Sequence, residues 1–182
     1  KDALIFICTI AMLLASAGMV FADDPDELQE GSMDHFVRTL VYEDQFEDVA
    51  DTAWYSQHVK DAYEYGFVSG NTETTYSPDS DITIAEALVI ACRLHSIYYG
   101  TEIDRTVQEG DPWYQPYVDY AVMHDIIWPG SYSNYTAKAT RAIFAGIMAN
   151  AIPDEEMPAI GTITKIPDVT VETRFSASIY QL

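Results

Sequence analysis

The stretch WYQPYVDYAVMHDII, residues 113–127, decides the fold, because a closely similar stretch, WYSQHVKDAYEYGFV, occurs earlier at residues 54–68. Placing Trp54 on Trp113 also aligns the apolar and aromatic residues that follow, pairing Tyr55 with Tyr114, Val59 with Val118, Ala62 with Ala121 and Tyr63 with Val122. These positions run i, i+4, i+7 and i+8, which is one apolar stripe of an α-helix. The chain therefore repeats one amphipathic helix, and a fold built from repeats is predicted.

Each of these first helices is predicted to end in the same way and to lead into a loop. Gly66 suits the left-handed residue that often follows a helix, and Asp125 occupies the same place in the second copy. Polar loops that carry tyrosines follow, NTETTYSPDSD at residues 71–81 and PGSYSNYTAKA at residues 129–139.

A second helix follows each loop. The two second helices are predicted to start at Thr83 and Thr140, and Thr83 with Glu86 forms the T-x-x-E pattern of a capping box. Apolar stripes continue behind both starts, with Leu88, Ala91 and Leu94 in one helix and Phe144, Ile147, Met148 and Ala151 in the other. Each copy is thus a helix-loop-helix unit, and the fold class is predicted to be mainly all-α.

A third copy is predicted to begin near the end of the sequence. IPDV at residues 166–169 has the form of FEDV at residues 46–49, and Phe175 and Ile179 then fall at the positions of Tyr55 and Val59. We expect a lead-in helix within residues 23–45, copy one at 46–100, copy two at 101–160 and the start of a truncated copy three at 161–182.

The N-terminal segment predicts export. ALIFICTIAMLLASAGMVF at residues 3–21 is a continuous apolar run, and Val20 and Ala22 fit the −3 and −1 positions of a cleavage site before Asp23. We expect residues 1–22 to be a signal peptide, with no stable membrane insertion after cleavage. A retained transmembrane anchor is the alternative, since the run approaches the length that spans a bilayer.

Composition and motifs restrict the function. The formal net charge of −20 disfavours binding to nucleic acid. Serine-hydrolase, zinc-protease, phosphate-binding and dinucleotide-binding motifs are absent from the sequence, so no enzyme activity, metal or cofactor is predicted within these residues. Cys92 lies three residues before His95, and we interpret the pair as a buried cysteine beside a surface histidine.

The repeats resemble a known family, the S-layer homology domain. Residues 46–88, FEDVADTAWYSQHVKDAYEYGFVSGNTETTYSPDSDITIAEAL, are similar to its pattern of F-x-D-V, a Trp-led helix, G-[IV]-x-x-G, an aromatic and Pro loop, and T-R-A-E. Copy two is similar but less regular, with DPWYQPYVDYAVMHDIIWPG at residues 111–130 and ATRAIFAGIMANAI at residues 139–152. The spacer at residues 151–169 also looks like the connector before a third repeat.

The resemblance implies a pseudo-threefold module in which first helices pack centrally and grooves between repeats bind a secondary cell-wall polysaccharide. That glycan is typically anionic, often pyruvylated, and attached to peptidoglycan. The implied role is non-covalent anchoring of a secreted protein to the cell wall, at the surface of a Gram-positive-type bacterium and with a possible part in an S-layer or other surface assembly.

Arg141 is the strongest candidate for ligand binding. It follows Thr140 in the first turn of a predicted helix, where a guanidinium beside free backbone N–H groups can grip a carboxylate. A surface ion pair is the alternative. Copy one has Ile84 at the equivalent position, so its groove is expected to lack this cation.

Further candidates come from aromatic and turn positions. Trp54 and Trp113 could offer flat faces to sugar rings or could instead pack in the core at the repeat junction. Trp128 is expected to be exposed in its loop. The other candidates are Asp48, which helix capping explains equally well, Gly70, which suits a turn, and the pair Thr83 and Glu86.

Two other function classes stay open. A helical protein-interaction repeat is one, although the spacing of 57 to 59 residues is longer than the period of about 34 in tetratricopeptide repeats. The anchor part of a larger polysaccharide-degrading enzyme is the other.

Overall fold

The computed structural model describes residues 30–157, 166, 169–170 and 172–181, and within them the fold is all-α. No strand occurs in these residues; one isolated bridge joins Thr83 to Lys138. The α-helices are α1 at Ser56–Glu64, α2 at Ile84–Tyr99, α3 at Gln115–Met123, α4 at Arg141–Met148 and α5 at Ser176–Gln181, with 3-10 helices at Met33–His35 and Asp154–Glu156. The predicted fold class is confirmed.

The first helices begin at equivalent positions. Trp54 aligned on Trp113 places Ser56 on Gln115, and these two residues begin α1 and α3. The end of each helix also follows the prediction: Gly66 has φ +78° and Asp125 has φ +56°, both in the left-handed region. The third copy's predicted register places Ser176 at the same position, and α5 begins there.

The larger core joins copy one to copy two. The second helix of copy one, α2, packs against the 3-10 helix at Met33–His35 and against both α3 and α4. Its buried stripe includes Leu88 and Ala91. The same cluster takes buried residues from copy two, namely Tyr117, Val118, Tyr120, Ala121, Ile126, Ile127, Ile147 and Ala151. The resemblance implies central first helices; among the described residues the central helix is α2, a second helix.

A smaller aromatic cluster lies inside copy one. Phe46, Val49 and Val59 are buried, and Tyr42, Tyr55, Tyr63 and Tyr76 pack around them. The Phe46 ring lies 5.7 Å from the Tyr63 ring at 89° and 5.7 Å from the Tyr76 ring. Edge-on packing of this kind is the favoured arrangement for aromatic pairs. The cluster fixes the copy-one loop onto α1.

The prediction of a lead-in helix is wrong for residues 30–45. Only Met33–His35 forms a single 3-10 turn, and the segment then runs past the end of α1. The backbone N–H groups of Thr39 and Leu40 donate to the carbonyl oxygen of Glu64, at 2.9 and 3.1 Å. Arg38 forms ion pairs with Glu64 and Asp61. The segment is therefore held by contacts with α1, which satisfy a carbonyl left free at the helix end.

Cys92 is a core residue, as predicted. It is completely buried, its Sγ–H donates to the carbonyl oxygen of Tyr117 at 3.3 Å, and burial raises the pKa of the thiol to about 12. The prediction of a surface histidine beside it is wrong. His95 is only 7% exposed, because it lies on the same face of α2 and packs against α3.

The predicted signal peptide and parts of copy three lie outside the described residues. In the part of the chain that the structure does describe, no helix combines the length and the apolar character needed to cross a bilayer.

Candidate functional site

A groove of about 810 Å³ lies where copy one meets copy two. One wall is a face of α2 on which Glu86, Val89, Ile90 and Arg93 follow the i, i+3, i+4, i+7 spacing. The opposite face of α2 is the buried stripe. The rest of the groove is lined by residues 67–71, the loop residues 76–78 and 80–82, Arg105, Trp113 and Tyr117. Both copies are therefore needed to form it.

Asp48 holds the loop that forms one rim of this groove. Its carboxylate accepts hydrogen bonds from the backbone N–H groups of Tyr76, at 2.8 Å, and Ser77, at 2.6 Å. These bonds lower the pKa of the Asp48 carboxyl. Asp48 itself does not line the groove. The helix-capping interpretation of Asp48 is wrong, because both carboxylate oxygens accept from N–H groups of a loop 28 and 29 residues away and not from the start of α1.

Gly70 lines the groove and occupies a turn, as predicted. Its φ of +79° lies in the left-handed region, and a Cβ there would overlap the buried ring of Phe46. Only glycine fits both constraints. The turn therefore brings the loop backbone close to the aromatic cluster.

Replacing Gly70 by Ala is expected to lower the free energy of unfolding by about 2 kcal/mol, from left-handed strain and from displacement of Phe46. Chemical denaturation measures this. Gly130→Ala is the matched control: Gly130 has φ +74°, but nothing lies within 4 Å of the added Cβ. Equal losses in the two variants would contradict the steric part of this argument.

Thr83 and Glu86 form the predicted capping box. The Glu86 carboxylate accepts from the Thr83 backbone N–H at 2.7 Å, and Thr83 Oγ1 accepts from the Glu86 N–H at 3.2 Å. The preceding amides of the helix, those of Ile84 and Ala85, donate to carbonyls of the copy-two loop at 2.9 and 2.8 Å. The N-terminus of α2 is therefore closed by protein groups, although Glu86 still contributes to the groove wall.

Thr140 caps α4 as predicted, since its Oγ1 accepts from the Ile143 N–H at 3.2 Å. Arg141 is the first residue of α4 and is exposed. It does not line the groove between copies one and two. No ion pair of Arg141 occurs among the described residues. Its role in a groove toward copy three stays a prediction.

The tryptophans are on the surface. Trp54 is 84% exposed and Trp113 is 55% exposed, so neither belongs to the core and the alternative of core packing at the repeat junction is wrong. Each packs edge-on against the following tyrosine with the same 5.6 Å centroid distance and 83° angle. Trp113 lines the groove. Trp128 is 74% exposed, as expected, but neither Trp54 nor Trp128 lines this groove.

Two arginines that line the groove were not predicted from the sequence. Arg93 lies on the groove face of α2, and its Nη1 donates to the carbonyl oxygen of Phe67 at 3.1 Å. Arg105 comes from the start of copy two, in the segment between α2 and α3. The groove therefore has two arginines in its lining, although it lacks an arginine at position 84, as expected. Arg93 lies seven residues after Glu86, so helical periodicity could have identified it, but Arg105 has no comparable pattern.

Comparison with known proteins supports the family resemblance for copy one. The family model of the S-layer homology domain matches residues 45–88. This match covers α1, the groove loop, the first turn of α2 and the aromatic cluster except Tyr42. Neither the curated proteins nor the solved structures gave a significant match to the chain. Domains of this family are generally involved in anchoring proteins to the cell wall through secondary cell-wall polysaccharide.

Proposed function

We propose that this chain anchors an exported protein to the cell wall by holding an anionic, pyruvylated-type secondary wall polysaccharide in the groove between repeats. The observation that carries the proposal is the groove itself. It is formed where the family match meets copy two, and it combines an exposed tryptophan with two arginines in a chain of net charge −20.

The chemistry of the lining supports a sugar ligand. Trp113 presents a partly exposed ring, and apolar ring faces pack against the C–H faces of sugars. The loop around Gly70 and Asn71 adds backbone groups and a side-chain amide. Arginine binds carboxylates through two parallel hydrogen bonds. An acidic polysaccharide meets each of these features.

The proposal includes the organisation expected from the sequence. Residues 1–22 would be a signal peptide, 23–45 a lead-in, 46–100 and 101–160 the first two repeats, and 161–182 the start of a third. Arg141 with Thr140 would serve a second groove toward copy three, and Trp54 and Trp128 would serve as sugar platforms outside the groove described here. The protein would reside at the cell surface of a Gram-positive-type bacterium.

Co-sedimentation with purified wall sacculi tests the function. We expect the protein to pellet with intact sacculi and to stay in solution with sacculi stripped of accessory polysaccharide. Trp113→Ala should weaken the affinity about tenfold, because the sugar loses its aromatic face. Met123→Ala is the control, since Met123 is exposed at the end of α3, the helix that follows Trp113, and lies outside the groove.

The alternatives predict different results. A protein-interaction repeat should pellet equally with stripped sacculi, if it pellets at all. A polysaccharide-degrading activity within these residues should release soluble reducing sugars from the sacculi. Equal pelleting with intact sacculi and with sacculi stripped of polysaccharide would overturn the anchoring proposal.

A further inference from the structure

We infer that Arg93 and Arg105 together hold the acidic group of the bound sugar, in place of the arginine that copy one lacks at position 84. This inference rests on the proposed function and assigns the charge recognition of that groove to two residues outside the T-R-A-E pattern.

Position 84 is closed to a ligand. Ile84 is 5% exposed and belongs to the core shared with copy two, whereas its counterpart Arg141 is exposed. The Ile84 N–H also donates a hydrogen bond to the carbonyl oxygen of Ala137. The loop of copy two thus covers the start of α2. A cation for this groove has to come from another part of the chain.

Arg93 provides a fixed cation. It lies in the third turn of α2, is half-buried, and is oriented by its bond to the Phe67 carbonyl. A guanidinium carries five N–H donors in a rigid fork, so one such bond leaves others for a ligand. Arg93 has no carboxylate partner among the described residues.

Arg105 adds a second cation from the copy-two side of the groove. The groove's own acids do not pair with either arginine in the described structure: Asp81 pairs with Lys138, and Glu86 accepts from Thr83. Two of the nine basic residues of the chain therefore converge on one groove without a protein counter-charge in contact. A ligand anion in contact with these guanidinium groups is attracted more strongly than it is repelled by acids that lie farther away and are screened by water and salt.

The ligand chemistry that fits is a sugar bearing an oxyanion. Trp113 would support the ring of the sugar, and the two guanidinium groups would bind the charged substituent. A carboxylate and a phosphate both satisfy these donors. A ketal-linked pyruvate and a phosphate ester of the wall polymer are two sources of this charge, and chemical treatment separates them.

The test measures binding of purified wall polysaccharide to the protein by calorimetry. Arg93→Ala and Arg105→Ala should each weaken binding by about tenfold, since each removes a charge-assisted hydrogen-bond donor. Arg93→Lys should recover only part of the affinity, because lysine keeps the charge without the fork. Lys60→Ala is the control; it removes one positive charge from α1, outside the groove.

Treated polymer identifies the charged group. Mild acid removes ketal-linked pyruvate, and hydrofluoric acid cleaves phosphate esters. Loss of wild-type binding after mild acid identifies ketal-linked pyruvate as the charged group. Because hydrofluoric acid can also hydrolyse the ketal, loss of binding after that treatment identifies a phosphate ester only where the mild-acid polymer still binds. Either result supports the inference. Unchanged binding after both treatments would overturn it.

The failure of this inference is distinguishable from the failure of the proposed function. If Trp113→Ala weakens binding while folded Arg93→Ala and Arg105→Ala proteins bind like wild type, anchoring stands and the arginine assignment is overturned. Thermal melting establishes that the variants fold, and exposed Arg105 provides a variant whose loss leaves the core intact. If wild type does not bind untreated polymer, the proposed function and this inference both fail.

Discussion

Leu88→Ala is expected to lower the free energy of unfolding by about 2–5 kcal/mol, the range for removing a buried leucine side chain. Leu88 is completely buried and is among the largest side chains with no exposed surface. It lies on α2, the helix that both α3 and α4 contact. The cavity would therefore weaken the junction between the copies, and urea denaturation followed by circular dichroism measures the loss.

Leu40→Ala is the matched control for this prediction. Leu40 is 44% exposed, and its bond to Glu64 is made by the backbone, which the substitution leaves in place. We expect a change within about 0.5 kcal/mol. If Leu88→Ala costs no more than Leu40→Ala, the packing of copy one on copy two through α2 is incorrect.

The local features of the fold could be predicted from the sequence, because their causes lie within a few residues. The Trp-led stripe gave the equivalent positions of α1 and α3. The capping box of Thr83 and Glu86 needs only a spacing of three residues. Gly66 and Asp125 end their helices in the left-handed region for reasons that also lie within one turn. Because these local signals agree, the repeat can be recognised from the sequence.

The misassigned features depend on contacts between distant segments. Residues 36–45 run along the end of α1 because Thr39 and Leu40 satisfy the Glu64 carbonyl, a pairing that helix propensity cannot reveal. His95 is buried because Tyr120, in the other copy, packs against it. A pattern within one helix gave no sign of either contact.

The groove was predicted only in part for the same reason. The sequence motifs predict Gly70, Glu86 and Trp113 as site residues, and all three line the groove. Arg93 and Arg105 are not in any motif, and they reach the groove only through the placement of copy two against α2. The motif-based choice of Arg141 concerns the next junction, where residues 158–165 lie outside the described structure.

His95 joins the two copies through a buried polar chain. Its Nδ1 lies 2.9 Å from the Tyr120 hydroxyl, which lies 2.7 Å from Thr101 Oγ1. The His124 ring is 4.8 Å from the His95 ring. A neighbouring cavity of about 290 Å³ is lined by both histidines and by Tyr99, Asp125 and Asp154. Burial, with a smaller contribution from His124, lowers the pKa of His95 to about 4.

This arrangement predicts that the fold loses stability as the pH falls from about 6.5 toward about 4. Above pH 6.5 His95 is neutral in both the folded and the unfolded chain. Below that pH the unfolded chain binds a proton at His95 and the folded chain does not, so the free energy of unfolding decreases. At 1.36 kcal/mol per pH unit, the difference between 6.5 and about 4 corresponds to about 3 kcal/mol, with about 2 kcal/mol lost by pH 5.

Urea denaturation at pH 7, 6 and 5 measures this loss before most carboxylates protonate. His95→Gln should flatten the dependence on pH, because glutamine can bond to the Tyr120 hydroxyl and does not titrate. A smaller slope of the same sign should persist, since burial also lowers the pKa of His124. His58→Gln is the control: His58 is exposed on α1, so its variant should keep the wild-type slope. An identical slope in wild type and His95→Gln would show that the junction between the copies is not the acid-sensitive element.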